Sequence, residues 1–162
     1  QYLHGRLWAR PVIGPLAPFS CVDHAPPVDA LDDNFPLRLT TGRRLDSYNT
    51  GVQSSRYSSP LRHGESLDLS PQDAQKYGFE EGELVRVVSR RGSVEAPVRF
   101  DPGLRPGLAF MTLHVPDQVA RNELTIDAVD PKSGTSEFKA TAGRLEKLGK
   151  TEPVTRKFRN RV

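Results

Sequence analysis

Cysteine is almost absent from this 162-residue chain, in which Cys21 is the only one. A single cysteine excludes an internal disulfide, and it excludes a cysteine-ligated zinc or iron–sulfur site built from this chain alone. Methionine is equally scarce, since Met111 is the only one and the chain begins with Gln1. We therefore expect the chain to be a piece of a longer protein.

Long apolar runs are also absent. No stretch of 18 apolar residues occurs, and no charged segment followed by an apolar one stands at the N-terminus. The sequence therefore predicts neither a membrane span nor a secretory signal, and we expect a soluble, cytoplasmic protein. It also contains no GxGxxG motif, no Walker motif and no internal repeat.

A strongly basic body is missing too, although the net charge is +3 and the pI is about 9.2. Residues 144–162 hold seven Lys or Arg against Glu146 and Glu152, so the preceding residues sum to −2. A short basic tail is usually a solvated terminus. We expect no nucleic-acid partner, although a basic nucleic-acid binder stays an alternative that salt-dependent binding would reveal.

Proline and glycine, by contrast, are frequent, with 14 and 13 residues, and the hydrophobic content is 36%. This composition indicates a modest core with many turns, as in a mainly β fold. Residues 1–34 carry five prolines and predict an extended lead-in. We expect residues 35–148 to form the folded β-barrel domain and residues 149–162 to form a basic C-terminal tail.

Local signals place several elements between residues 65 and 100. Ser70 suits a helix N-cap, Pro71 suits the first helical position, and Asp73 completes a capping-box spacing. Gly78 would end this short helix in a left-handed conformation. "LVRVVS" and "SVEAPVRF" flank Arg90-Arg91-Gly92 and alternate in polarity, which predicts a β-hairpin.

The stretch "LTTGRRLDSYNTG", which follows the strand candidate "FPLRLT", concentrates small donors and arginines in one turn. Threonine hydroxyls and backbone N–H groups can form a concave anion site, and Gly42 would let a ligand approach the main chain. Arg43 adds a planar fork of donors suited to phosphate. The alternative is a loop whose side chains satisfy only its own backbone.

Three stretches of the chain resemble, in order, the C-terminal molybdopterin-dinucleotide-binding domain of the bis-pterin molybdenum and tungsten oxidoreductases. That superfamily includes formate dehydrogenase, periplasmic nitrate reductase and dimethyl sulfoxide reductase. The stretches are "FPLRLTTGRRLDSYNTGVQSSR", "LDLSPQDAQKYGFEEGELVRVVSRRGSVEAPVRFD" and "GLAFMTLHVPDQVARNELTIDAVDPKSGTSEFKATAGRLEKL". The lead-in "APFSCVDHAPPVDALDDNFPL" looks most like formate dehydrogenase members, although many relatives have histidine where this chain has Ser47.

The resemblance implies a six-stranded double-psi β-barrel with short helices, and a set of cofactor-facing residues. Three of these leave an alternative open: His114 as a packed histidine at a strand end, Asn122 as a helix cap, and Lys139 as an outward strand residue. The implied cofactor-binding residues are Thr41, Gly42, Arg43, Ser47, Asn49, Thr50, His114, Asn122, Phe138 and Lys139. No catalytic residue and no metal ligand is expected in this chain.

The implied function is to hold bis-molybdopterin guanine dinucleotide, with molybdenum or tungsten, inside a formate dehydrogenase-like oxidoreductase. An iron–sulfur cluster is expected elsewhere in the full-length enzyme, and the isolated domain is expected to be inactive. The expected partners are the remaining domains of the same catalytic subunit and electron-transfer subunits. The alternative is a non-enzymatic binding module on the same barrel, of the kind found in AAA ATPases, because one fold serves many functions.

Overall fold

Six strands close into a barrel in the computed structural model, which describes residue 21 and residues 23–44, 64–114, 119–131 and 133–148. The predictions for Ser47, Asn49, Thr50, most of the lead-in and the tail lie outside these residues. The strands are β1 Leu37–Gly42, β2 Leu67–Leu69, β3 Leu84–Ser89, β4 Ser93–Phe100, β5 Leu108–Thr112 and β6 Thr141–Lys147. The helical segments are α1 Pro71–Tyr77 and a 3-10 helix, Arg121–Leu124.

The strands follow one another around the barrel in the order β1-β5-β2-β4-β3-β6, and β6 pairs with β1 to close it. β1 and β5 run parallel, as do β2 and β4, whereas the other neighbours are antiparallel. Parallel neighbours need connections that cross the barrel, so segments distant in sequence meet at its ends. The predicted mainly β, six-stranded barrel is confirmed.

The interior of the barrel is filled by the inward-facing residues of each strand. β1 alternates buried and half-buried residues, and β3 and β4 alternate in the same way. Burial of one Val, Leu or Met side chain contributes roughly 1.5–3 kcal/mol. The fully enclosed core side chains include Leu37, Leu39, Leu67, Leu69, Val85, Val87, Val98, Met111 and Leu124.

Helix α1 begins and ends where the sequence predicts. The Ser70 hydroxyl accepts a hydrogen bond from the Asp73 N–H at 3.0 Å, and Pro71 occupies the first helical position. Gly78 ends the helix with φ of 69°, a conformation that a side chain would strain. The Asp73 carboxylate also accepts from the Gly107 N–H at 2.8 Å. The cap therefore also ties the helix to the turn before β5.

The end of the predicted lead-in is fastened to the barrel through one buried carboxylate. Asp29 accepts from the Arg90 and Arg91 guanidinium groups, each at 2.5 Å, and from the Ala142 N–H at 2.8 Å. Its own carbonyl accepts from the Arg38 guanidinium at 2.7 Å. One aspartate thus joins the lead-in to the β3–β4 turn and to strands β1 and β6.

Within the described residues, no helix has the length and apolar character needed to cross a membrane.

Candidate functional site

A hollow of about 670 Å³ lies beside the end of β1. Four segments contribute to it: the end of β1, the residue after β5, the 3-10 helix with Thr125, and the segment before β6. Its described lining carries cationic and neutral side chains and no carboxylate. The lining residues are Thr41, Arg43, Leu113, Arg121, Asn122, Thr125, Phe138 and Lys139.

Two hydrogen bonds hold the segment before β6 against the end of β1. The Thr41 hydroxyl donates to the Phe138 carbonyl at 3.1 Å, and the Lys139 ammonium donates to the Thr41 carbonyl at 2.5 Å. The same ammonium lies 5.2 Å from the centroid of the Phe138 ring. Lys139 is therefore held at the hollow through its contacts with both neighbours, and it is not an outward strand residue, because it precedes β6.

Asn122 is exposed at the hollow and does not cap a helix. Ala120 occupies the N-cap position of the 3-10 helix, and no side-chain hydrogen bond caps it. The cap alternative for Asn122 is therefore wrong. Its carbonyl accepts from the N–H and the hydroxyl of Thr125, at 3.3 and 3.0 Å.

The 3-10 helix sits against the barrel through the β3–β4 turn. The Arg91 guanidinium donates to the Leu124 carbonyl from Nε at 3.2 Å and from a terminal nitrogen at 2.8 Å. A Cβ on Gly92 would lie 2.9 Å from the Glu123 carbonyl oxygen, so glycine permits this close approach. Arg121 and Asn122 therefore owe their position to the hairpin turn.

Arg121 is a lining residue that sequence reasoning missed. Only 9% of it is exposed, and burial lowers the pKa of its guanidinium, an effect that the more distant Glu65 carboxylate opposes. Among the described residues, none places a carboxylate within salt-bridge distance of it. In the sequence Arg121 stands directly before Asn122, but nothing local marks it as buried, because its burial depends on the packing of the 3-10 helix.

His114 lies outside the lining of the hollow, buried just beyond β5. Its Nε2 accepts from the Arg44 backbone N–H at 2.9 Å, and its backbone N–H donates to the Glu65 carboxylate at 3.1 Å. These contacts agree with the alternative of a packed histidine at a strand end. His114 can affect the hollow only indirectly, because it holds the backbone of Arg44, the residue after Arg43.

Gly42 has a structural reason to lack a side chain. A Cβ at this position would lie 2.8 Å from the Phe110 ring, on the neighbouring strand β5. The absence of a side chain thus makes room for Phe110, and Gly42 is not among the residues that line the hollow. Ligand approach to this main chain remains a prediction.

Arg44 is the second residue that sequence reasoning missed, and it belongs to an ionic cluster beside the hollow. Its guanidinium contacts both Asp68 carboxylate oxygens at 3.0 Å and the Ser66 hydroxyl at 2.8 Å. Arg99 contacts the same two carboxylate oxygens, at 2.9 and 2.5 Å. Burial acts to raise the pKa of Asp68, but the bonds from Arg99, Ser66 and Arg44 outweigh it and lower that pKa.

We call Arg44, Ser66, Asp68 and Arg99 the Asp68 cluster. Because Arg44 directly follows Arg43, the contacts of Arg44 with Asp68 also hold the backbone next to Arg43, which lines the hollow. The described part of the chain contains no group of three or more His, Cys, Asp or Glu side chains suited to a metal.

Comparison with known proteins identifies the family of this barrel. Residues 37–142 match the family model described as "Molydopterin dinucleotide binding domain". The chain belongs to this family. The match runs from the first residue of β1 into β6 and includes the segments that line the hollow.

Curated relatives with different activities share the domain. The chain is 36% identical over 148 residues to the "F420-dependent formate dehydrogenase 2 subunit alpha" of Methanococcus maripaludis, covering 90% of this chain and 21% of the relative. It is 38% identical over 143 residues to the "Assimilatory nitrate reductase" of Haloferax mediterranei, covering 85% and 19%. The chain thus spans about a fifth of the length of these relatives.

A solved structure supports the fold independently. The "Acetylene Hydratase from Pelobacter acetylenicus" superposes with a TM-score of 0.54 at 18% identity, over 70% of this chain and 18% of that one. At this identity the likeness supports the fold alone.

Proposed function

We propose that the hollow holds the nucleotide end of molybdopterin guanine dinucleotide, and that the chain is the cofactor-binding domain of a larger oxidoreductase. One observation carries the proposal: Thr41, Arg43, Asn122 and Lys139, from three separate segments, line a single hollow whose described lining has no carboxylate. A binding module that takes no anionic ligand has no reason to gather these groups, so the hollow argues against the alternative of an adaptor barrel.

The lining suits the chemistry of a nucleoside diphosphate. Arg43 and Lys139 supply positive charge for phosphate oxygens, and each charge-assisted hydrogen bond contributes roughly 1.5–3 kcal/mol. The Asn122 amide carries both a donor and acceptors, so it can read a guanine edge in both directions. The Thr41 hydroxyl is held by Phe138, which lines the same hollow.

In the whole enzyme the bound metal would supply the redox chemistry, and this chain would bind the cofactor and tune its electrostatics. The chain alone is therefore expected to be inactive, with the remaining domains of the subunit completing the pocket. We favour a formate dehydrogenase-like enzyme, which the formate dehydrogenase relatives support. A nitrate reductase is the second candidate, supported by the 38% identical relative.

Calorimetric titration of the chain with GDP and, separately, UDP tests the proposal. We expect weak binding, because half of the pocket belongs to other domains, with GDP preferred over UDP. Arg43→Ala should weaken the binding of both nucleotides by about fivefold or more, because a charge-assisted contact is lost. Arg86→Ala, a change in an exposed arginine paired with Glu95, should have no effect. Equal binding of GDP and UDP, or unchanged binding by the Arg43 variant, would contradict the proposal.

A further inference from the structure

Arg121 differs from three arginines that contact buried carboxylates, Arg44, Arg91 and Arg99. Arg44 and Arg99 contact Asp68, and Arg91 contacts Asp29, all at 3.0 Å or less. Arg121 is more deeply buried than these, yet within the described residues it has no such carboxylate contact. Arg121 is also one of the residues that line the hollow.

A buried charge without a nearby counter-charge is costly to the folded state. Among the described residues, the carboxylate that acts on Arg121 electrostatically is that of Glu65, and it already accepts from the Thr112 hydroxyl and the His114 backbone N–H. Burial accordingly lowers the pKa of the Arg121 guanidinium. An anion in the hollow would supply the missing counter-charge without any rearrangement of the barrel.

We propose that Arg121 is the residue that contacts the diphosphate of the ligand, at the buried wall of the hollow. A guanidinium presents a planar fork of donors that matches two phosphate oxygens at once. Arg43 and Lys139 line the same hollow, so a diphosphate there meets three cationic side chains. The inference rests on the proposed function for its ligand, but it concerns the diphosphate and not the base.

The test uses inorganic pyrophosphate as the probe and compares the 162-residue chain with Arg121→Met. At about 10 mM pyrophosphate, and for a dissociation constant of about 1 mM, the parent chain should gain about 4 °C in Tm over sodium chloride of equal ionic strength. The Met variant should lose this gain. Without pyrophosphate its Tm should equal or exceed that of the parent chain, because an uncompensated buried charge is gone.

Arg86→Met is the matched control, since it removes an exposed guanidinium that has Glu95 as its partner. It should keep the full pyrophosphate effect. A parent chain without the gain, or an Arg121→Met variant that retains it, would overturn the inference. Arg121→Gln serves as a second variant that keeps polarity at this position.

Failure of both Arg121 variants to fold would also overturn the inference, because it would mean that the guanidinium already has a stabilising partner in the chain. The outcome is separable from that of the proposed function. A pyrophosphate effect that depends on Arg121 without any preference for GDP over UDP would support this inference and contradict the guanine nucleotide assignment. A preference for GDP over UDP, together with a pyrophosphate effect that Arg121→Met retains, would do the reverse.

Discussion

Two neighbouring groups of charged residues use arginine in opposite ways. In the Asp68 cluster, Arg44 and Arg99 enclose a buried carboxylate, and every charge has a counter-charge a few ångströms away. In the hollow, Arg43, Arg121 and Lys139 gather with no carboxylate among the described lining. Arg43 and Arg44 are consecutive in sequence, yet they serve the two different groups. Paired charges stabilise the barrel end, and in our proposal the cationic hollow binds an anionic ligand.

Removal of the Asp68 charge should give the largest effect on stability. Asp68→Asn leaves the Arg44 and Arg99 guanidinium groups next to a neutral amide at a buried position, which should reduce the free energy of unfolding by about 3 kcal/mol. Urea unfolding of the parent chain and the variant measures this change in the free energy of unfolding. Glu95→Gln is the control, since the Glu95–Arg86 pair is exposed and its loss should change the stability by at most about 1 kcal/mol. Equal effects of the two substitutions would contradict the role given to the Asp68 cluster.

Asp29→Asn should have the second largest effect, because it weakens the link between the lead-in and the barrel. The amide cannot accept from Arg90, Arg91 and the Ala142 N–H together, and we expect a loss of about 2 kcal/mol in the free energy of unfolding. Asp32→Asn is the control in the same segment, where the carboxylate is exposed and a smaller loss is expected. Cleavage by a protease before residue 37 should become faster in the Asp29 variant alone.

Acid should reduce the stabilising contributions of Asp68 and Asp29, whereas pH changes near neutrality should have little effect on them. The folded-state pKa of Asp68 and that of Asp29 lie below the ordinary value of 3.8. For Asp29, as for Asp68, burial acts to raise the pKa, but the hydrogen bonds from Arg91, Ala142 and Arg90 outweigh it. Their stabilising contribution is therefore present above that value and is lost as the pH falls through the folded-state pKa.

The measurement is urea unfolding between pH 6 and about pH 3. The parent chain should lose stability below about pH 4, and Asp68→Asn should lose less over the same interval. A variant with the same acid dependence as the parent chain would show that Asp68 has no depressed pKa in the folded state.

Much of the fold could be predicted because its signals are local. Ser70, Pro71 and Gly78 mark the bounds of α1 by their own backbone preferences, and the hairpin around Gly92 follows from the alternation of its flanking strands. The order of the strands could not be derived in this way, because the parallel pairing of β1 with β5 joins residues about 70 positions apart. The resemblance to the family predicted a six-stranded barrel, and the strand order comes from the structure.

The candidate site was predicted unevenly for the same reason. Thr41, Arg43, Asn122, Phe138 and Lys139 stand in recognisable motifs, and all of them line the hollow. His114 also stands in a motif but packs beside Glu65. No local motif indicates the roles of Arg44 and Arg121. The role of Arg44 depends on a carboxylate 24 residues away, and that of Arg121 depends on its burial. Partners and burial are tertiary properties, which a single sequence does not display.

The most direct test of the account is to map GDP onto the chain by its ¹H–¹⁵N amide spectrum. We expect the largest ligand-dependent shift changes around the hollow, at Thr41, Arg43, Arg121, Asn122 and Lys139. The amides of Ser66, Asp68 and Arg99 should change little, because both arginines of that cluster already contact a carboxylate. Changes concentrated at the Asp68 cluster, or no changes at the hollow at saturating GDP, would contradict the claim that the hollow is the ligand site.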